Sequence, residues 1–476
     1  MNQTSSLRKP INQKNIVLII ISLSSFISAF SGSSIIVAAP IMGAELQMDA
    51  ATLSWFVTIF ILATALLQIP FGKIADLYGR KKIYFIGMLI FTSSTLALGF
   101  ANSVNLLLAF RFGQGIGAAL VFATGTAILT SVFPANEKGK AFGYNIGAVY
   151  FGLTIGPSLG GVLTQHLGWR SIFYITASLA LMVALLIVWK LKGEWTSEIK
   201  EPFDYIGSLI YVSTLFLLLY GFKVLPKYPG YIMIGGSIIC AGTFVWWERR
   251  IDNPILELRL FKKNKFFTFA NLSAFAFYAS TSAVSFLLSL YLQSVKGFTP
   301  QQTGLILLAR PIVQAILSPI GGRLSDFIEH RTITTIGVGI GFVSLLLLTF
   351  LNENSHLSLI IASLALGGLG FGLFSSPNAN SIMSSVSKRF FGVASALIGT
   401  MRTIGQTLSL SIVTLIFAVL IGDTSSETPE YAAQLLESSK IAFIIFTSLC
   451  TIAVVFSFLR GKMDQLKELD KSEVGH

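Results

Sequence analysis

Three arginines stand where their chemistry is least expected. Arg111, Arg310 and Arg402 each fall inside an apolar run long enough to cross a bilayer. An arginine facing hydrocarbon costs at least ~2.5 kcal/mol, so all three are expected to point inward. Each has a glutamine within about one helical turn on the same face, Gln114, Gln314 and Gln406 respectively, whose carbonyl can hold a guanidinium without neutralising it. A guanidinium with a pKa above ~12 keeps its charge, so these positions predict a positive central cavity. Such a cavity favours an anionic or zwitterionic group through bidentate contacts. For Arg111 and Arg402 a structural or gating role and direct substrate contact both stand. For Arg310, which precedes Pro311, substrate contact, a gating or helix-bonding role, and simple snorkelling all stand. Trp55 and Tyr278 are candidates for an apolar lining of the same cavity, with plain packing as the alternative.

A second concentration of charge is "GKIADLYGRKK", Gly72 to Lys82. It holds five charges in eleven residues, in a chain whose charged fraction is 12%. Lys73, Arg80, Lys81 and Lys82 read as anchors at a membrane surface, with Gly72 and Gly79 permitting a tight connection. Asp76 is not explained by that role.

The elements that position these residues follow from composition. The 476-residue chain is 53% hydrophobic with 39 Phe and 42 Gly, and its mean hydropathy is +0.73. This is the composition of an integral membrane protein, bulky yet rich in residues that let helices approach closely. The net charge of +12 is split into short basic pieces between apolar runs, which excludes a nucleic-acid-binding domain. Cys240 and Cys450 lie in apolar runs, and His166, His330, His356 and His476 lack ligand spacing, so neither a disulfide framework nor a metal is implied. No phosphate-binding Gly-x-x-x-x-Gly-Lys-Ser/Thr run occurs, and no cofactor is expected. Without a soluble catalytic domain, the chain is not expected to be an enzyme.

A bilayer core of about 30 Å needs about 20 apolar residues. Fourteen such stretches are predicted, at 15–41, 51–72, 83–101, 104–128, 141–164, 171–190, 205–222, 229–247, 266–294, 302–322, 333–351, 357–383, 391–421 and 439–460. With both termini cytoplasmic, the external loops hold only Arg170, Lys223, Lys227, Lys296 and Lys440, and the other loops and tails carry the remaining basic residues. That asymmetry sets the expected orientation. Every Asp and Glu then falls in a loop, a tail or a helix end.

Adding 250 to the numbering of the charged stretch brings Gly72, Asp76 and Lys81 onto Gly322, Asp326 and Arg331, in "GGRLSDFIEHR". "GQGIG" (Gly113, Gly115, Gly117) has a looser echo in "GLGFG" (Gly368, Gly370, Gly372). The chain therefore reads as two six-span halves, 15–191 and 266–461, with an inserted pair at 204–247, a cytoplasmic linker at 248–265, and tails at 1–14 and 462–476.

With those features in place, the sequence resembles the major facilitator superfamily, and specifically its fourteen-helix drug:proton antiporter branch. "GKIADLYGRKK" resembles the family's signature loop, with Leu77 where a basic residue is common. "LLLAFRFGQGIGAA" (Leu106 to Ala119) resembles the fourth-helix motif built round Arg111. "GLTIGPSLGG" resembles the fifth-helix antiporter motif, comprising Gly152, Gly156, Pro157, Gly160 and Gly161, and "ERRIDNPILELRLF" (Glu248 to Phe261) the loop that enters the second half. The resemblance implies an all-α integral membrane protein with the major facilitator fold, two six-helix bundles plus two inserted helices. It implies alternating-access export of amphipathic small molecules by antiport, with the proton as usual coupling ion, in the cytoplasmic membrane of a prokaryote. An alternating-access carrier needs latches, and Asp76 is suited to accept hydrogen bonds from the amides at the start of span thirteen, near Phe391. Arg80 and Glu137 are expected to complete that cluster, and Lys81, Asp326 and Arg331 to belong to the same kind of latch, with a plain topological anchor as the alternative. The glycines of span five predict one face on which a neighbour packs almost backbone to backbone. Family members commonly carry an acid in the first helix where this chain has Ser31, and an Asn where it has Ile36. This departure keeps open a second reading, a carrier for organic anions or acidic lipids, uncoupled or exchange-coupled.

Overall fold

The computed structural model describes residues 9–48, 50–196, 202–421 and 429–461. The tails expected at 1–14 and 462–476 lie outside the described residues apart from 9–14. Among the described residues the regular structure is helical throughout: α1 (Lys9–Glu45), α2 (Ala50–Tyr78), α3 (Arg80–Phe100), α4 (Val104–Val132), α5 (Lys138–Leu167), α6 (Arg170–Lys190), α7 (Tyr205–Val224), α8 (Tyr228–Glu248), α9 (Leu258–Lys263), α10 (Lys265–Thr281), α11 (Val284–Leu290), α12 (Pro300–Leu307), α13 (Ala309–Leu324), α14 (His330–Thr349), α15 (Leu357–Ser384), α16 (Phe391–Leu420) and α17 (Pro429–Leu459). Among the described residues, fourteen spans are long and apolar enough to cross a membrane. The protein is a multi-pass membrane protein, and its spans follow the fourteen expected stretches.

Several boundaries differ from the sequence reading for identifiable reasons. The charged stretch is not a loop: α2 runs on to Tyr78 and α3 begins at Arg80. Gly79 alone joins them, at φ 110°, a conformation open to glycine at little cost. Its counterpart 250 residues later is Glu329, with φ −53°. The second connection therefore unwinds over residues 325–329 between α13 and α14 instead of turning on one residue. Span ten divides into α12 and α13 because Pro311 has no N–H to donate to the Leu307 carbonyl one turn earlier. Span nine divides after Thr281, and its last segment, Tyr291–Val295, widens to a π-helix.

The chain forms two compact units. Unit 1 comprises 1–204 with 386–399, and unit 2 comprises 205–385 with 400–476. In unit 1, α1 packs along α5, α4 lies between α2 and α3, and α6 packs on α3. Unit 2 repeats the middle arrangement, with α15 between α13 and α14 and α17 against α10 and α14, while α7 and α8 pack on each other. The two glycine runs explain the parallel. A Cβ on Gly115 would lie 2.8 Å from the Phe60 carbonyl oxygen of α2, and one on Gly117 would lie 2.8 Å from the Gly87 carbonyl oxygen of α3. A Cβ on Gly372 would lie 2.8 Å from Leu317 of α13, and one on Gly370 would lie 2.7 Å from the Gly341 nitrogen of α14. Each run lets one helix touch two neighbours at backbone distance.

Unit 1 is tied at both ends. At one end Gln13 donates to the Lys192 carbonyl (2.7 Å) and Lys14 pairs with Glu137 (3.2 Å). At the other, Glu45 accepts from the Trp169 indole N–H (2.6 Å) and from Arg170 (2.5 Å), joining the end of α1 to the start of α6. Those hydrogen bonds, with the Arg170 charge, hold the Glu45 carboxyl below its ordinary pKa. A depressed carboxylate stabilises the fold above its ordinary range and loses that contribution as pH falls through its folded value. Thermal unfolding of purified protein is therefore expected to show an acid-side loss of stability that Glu45→Gln reduces; identical profiles would remove this tie as a contributor.

Candidate functional site

Asp76 lies two residues from the end of α2, with 2% of its surface exposed. Its carboxylate accepts from the backbone N–H of Gly392 at 2.9 Å to each oxygen, and from Val393 at 3.3 Å. These are first-turn amides of α16, which have no acceptor within their own helix. The residues involved all belong to unit 1. Arg80, one turn after Asp76, donates Nε (2.9 Å) and Nη2 (2.7 Å) to the same carboxylate. Its remaining N–H groups reach the Ser131 hydroxyl (2.9 Å) and the Lys388 carbonyl (2.5 Å). Two cations flank the Phe391 ring, Arg80 at 5.3 Å and Lys138 at 5.6 Å.

Glycine makes this clasp possible. Gly72 lies in the interior of α2 rather than at a turn, and a Cβ there would stand 2.6 Å from the Gly392 carbonyl oxygen. A Cβ on Gly392 would reach within 2.7 Å of the Asp76 carboxylate.

Three expectations need correction here. Arg80 completes the Asp76 cluster as expected, but it is buried, 2% exposed, and so does not anchor a membrane surface. Glu137 pairs with Lys14 and caps nothing in the clasp. Lys81 contributes its backbone N–H, which donates to Glu194 (2.8 Å), while the Glu194 carboxylate also accepts from the Lys82 N–H (3.2 Å). Glu194 thus closes the start of α3, a residue the sequence reading passed over. In unit 2, Asp326 is half-buried in the connection after α13, and Arg331 lies over the Phe458 ring at 4.1 Å.

Arg111 is 1% exposed inside unit 1. It donates to the Gln114 carbonyl, and the Gln114 amide passes the chain on to Thr95 (2.7 Å) and Ser31 (3.3 Å). Phe60 and Phe56 cover the guanidinium at 4.5 and 5.2 Å, an arrangement in which ring quadrupoles offset part of its desolvation. Arg310 is 8% exposed inside unit 2. It donates to the Thr281 carbonyl (2.8 Å), with the Phe371 ring 5.7 Å away. Gln314 is buried on the same helix, whereas Arg402 and Gln406 are half-buried on α16. Tyr278 packs edge-on against Phe371, centroids 5.3 Å apart, and Trp55 is half-buried.

A fourth arginine is buried, at the last residue of the fourteenth expected stretch. Arg460, just past α17, is 1% exposed and bonded to Ser457 and Ser381. Burial lowers its pKa to about 9, which leaves it charged at physiological pH. An arginine closing an apolar run looks like a boundary residue, so only the Ser457 beside it hinted otherwise.

The span-five motif makes a seam with α1. A Cβ at Gly152 would lie 2.7 Å from the Phe26 carbonyl oxygen, at Gly156 3.1 Å from the Ser34 nitrogen, and at Gly160 2.8 Å from the Ser34 Cα. Gly161 faces only Val37, at an ordinary 3.6 Å. Pro157 is half-buried within α5.

Among the described residues, carboxylates within spans are Asp76, Glu137, Glu248 and Glu437, all close to a span end. Asp76 and Glu248 are buried, and Glu248 is held by the Leu256 N–H (3.1 Å). No cluster of His, Cys, Asp and Glu suited to a metal occurs among the described residues.

Comparison with known proteins places this geometry. The model of the Major Facilitator Superfamily matches residues 21–410 and 270–473. Riboflavin transporter RibZ of Clostridioides difficile is 31% identical, over 95% of this chain and 99% of its own. Multidrug resistance protein Stp of Mycobacterium tuberculosis is 32% identical, over 78% of this chain and 70% of its own. Among solved structures, a double-tryptophan mutant of XylE superposes with TM-score 0.70 at 13% identity, covering 95% of this chain and 98% of that one.

Proposed function

The chain belongs to the Major Facilitator Superfamily and is a membrane transporter, not an enzyme; from that premise we propose that it exports amphipathic small molecules by proton-coupled antiport. We place it in the cell membrane with both termini cytoplasmic, the orientation given by the Lys and Arg asymmetry. The observation that supports the reading is the α1–α5 seam at Gly152, Gly156 and Gly160, formed by the stretch that resembles the family's fifth-helix antiporter motif. The names of two relatives, a riboflavin transporter and a multidrug resistance protein, support an organic small molecule as substrate. The two six-helix halves with an inserted pair are the mechanical frame we propose for it, and the Asp76 clasp is proposed as the latch that must open and close during the cycle.

A second reading keeps some weight because of Arg111, whose bonded partner is a neutral glutamine. A carrier of organic anions would suit a chain with buried arginines and, among the described residues, no carboxylate at mid-span. Proteoliposomes loaded with a cationic dye, riboflavin or an anionic amphiphile separate the two. Antiport predicts substrate-dependent proton movement and export that needs a pH gradient. Anion movement indifferent to the gradient would replace it with the second reading.

A further inference from the structure

The chain folds back on unit 1 after α6. Leu191 is buried, 2% exposed, Gly193 turns the backbone at φ 91°, and residues 194–195 come to lie on the first turn of α3. The opening amides of a helix have no acceptor within it, and Gly79, in the capping position, has no side chain to offer one. Each of these amides is nonetheless satisfied. The Gly79 N–H donates to the Ala75 carbonyl of α2, and the Arg80 N–H donates to the Trp195 carbonyl, both at 3.0 Å. The next two, of Lys81 and Lys82, reach the two oxygens of Glu194. The cap of α3 is thus supplied from 113 positions further along the chain.

This strap, residues 191–196, is itself held. The Gln13 side chain of α1 donates to the Lys192 carbonyl (2.7 Å), and the Trp195 N–H fixes the Glu194 carboxylate (3.1 Å). A Cβ on Gly79 would stand 2.7 Å from the Glu194 carboxyl carbon, so glycine there gives the carboxylate its seat as well as turning the chain.

Arg80 is where the strap and the clasp meet. Its main chain is held by Trp195, and its side chain gives two bonds to Asp76. A guanidinium fork keeps both bonds to a carboxylate only within narrow limits of distance and angle. Arg80 is also the first residue of α3, one glycine from α2, so a shift of that first turn moves the fork directly. We propose that Glu194 is a positioning residue for the latch: by fixing the start of α3 it aims Arg80 at Asp76. The proposal rests on the latch reading of Asp76 for its consequence in transport, and every residue in it belongs to unit 1.

Hydrogen–deuterium exchange on the purified full chain tests it, read at two places, the start of α3 and the start of α16. Glu194 is exposed, so Glu194→Ala leaves the packed interior untouched. It should speed exchange at Lys81 and Lys82, and also at Gly392 and Val393, about fivefold at each, the size expected for a lost helix cap. Dye export from proteoliposomes should fall by no more than that factor. Glu194→Gln, which keeps one acceptor, should restore most of the protection at α16, and Gln13→Ala, which frees the strap at its other attachment, should shift the α16 peptide in the same direction as Glu194→Ala. In an Asp76→Asn background Glu194→Ala should add nothing at α16, because Arg80 then has no carboxylate to be aimed at. Faster exchange confined to α3, or a further rise at α16 in the double variant, would overturn the proposal and leave Glu194 a local cap. Faster exchange at α16 with unchanged export would support the positioning of Arg80 and remove the latch reading instead.

Discussion

Asp76→Asn is expected to lower transport at least tenfold while leaving the protein inserted and monodisperse. The substitution keeps the shape of the side chain but turns one of its two acceptors into a donor, facing the Gly392 and Val393 N–H groups. It also leaves Arg80 buried without its counter-charge, and breaking one side of a buried ion pair costs about 3–5 kcal/mol. The loss falls on the closed clasp, so a latch role predicts that the cycle suffers more than folding does. Dye export from proteoliposomes with matched protein content measures the first, and size-exclusion profiles and melting temperature the second. Full export by Asp76→Asn would remove the latch role; equal loss of export and of folded protein would make Asp76 structural only.

Gly160→Val is expected to lower the stability of the fold itself. The missing side chain is what allows α5 to lie on α1 with Ser34 Cα only 2.8 Å from where a Cβ would stand. Backbone cannot step aside as a flexible side chain can, and overpacking of this kind costs about 3 kcal/mol. The yield of folded protein after detergent extraction should fall severalfold, with a lowered melting temperature. Gly161→Val, one position on and facing only Val37 at 3.6 Å, should behave nearly as the unaltered chain does. Similar losses at both positions would mean that the seam is not set by backbone approach.

Much of this was legible in the residues. Hydrophobic length gave the fourteen spans, because a bilayer of fixed thickness demands it. Glycines spaced by four announced the seam, and a carboxylate at a helix end facing a later helix start suggested the amides Asp76 would meet. What the sequence could not supply was choice of partner among loop residues. Glu137 and Glu194 are both acids near the same helix ends, and only packing sends one to Lys14 and the other to the start of α3. Boundaries failed for a similar reason. Arg80 and Arg460 look like surface charges beside apolar runs, yet neighbours from distant helices bury them. The division of span nine after Thr281 carries no proline at Thr281–Ala283, so the residues gave no sign of it. Arg310, for which substrate contact, a gating or helix-bonding role and snorkelling all stood, donates to the Thr281 carbonyl of its own unit.

The most direct test of the clasp is hydrogen–deuterium exchange at the start of α16, read on peptides containing Gly392 and Val393 in proteoliposomes. The amides bonded to Asp76 should exchange slowly at rest, and faster when dye and a pH gradient drive turnover, because a latch that works must open. Asp76→Asn should exchange fast under both conditions. Protection that is unchanged by turnover, in a preparation shown to transport, would contradict the account: the Asp76 contact would then be a fixed joint, and transport would proceed without opening it.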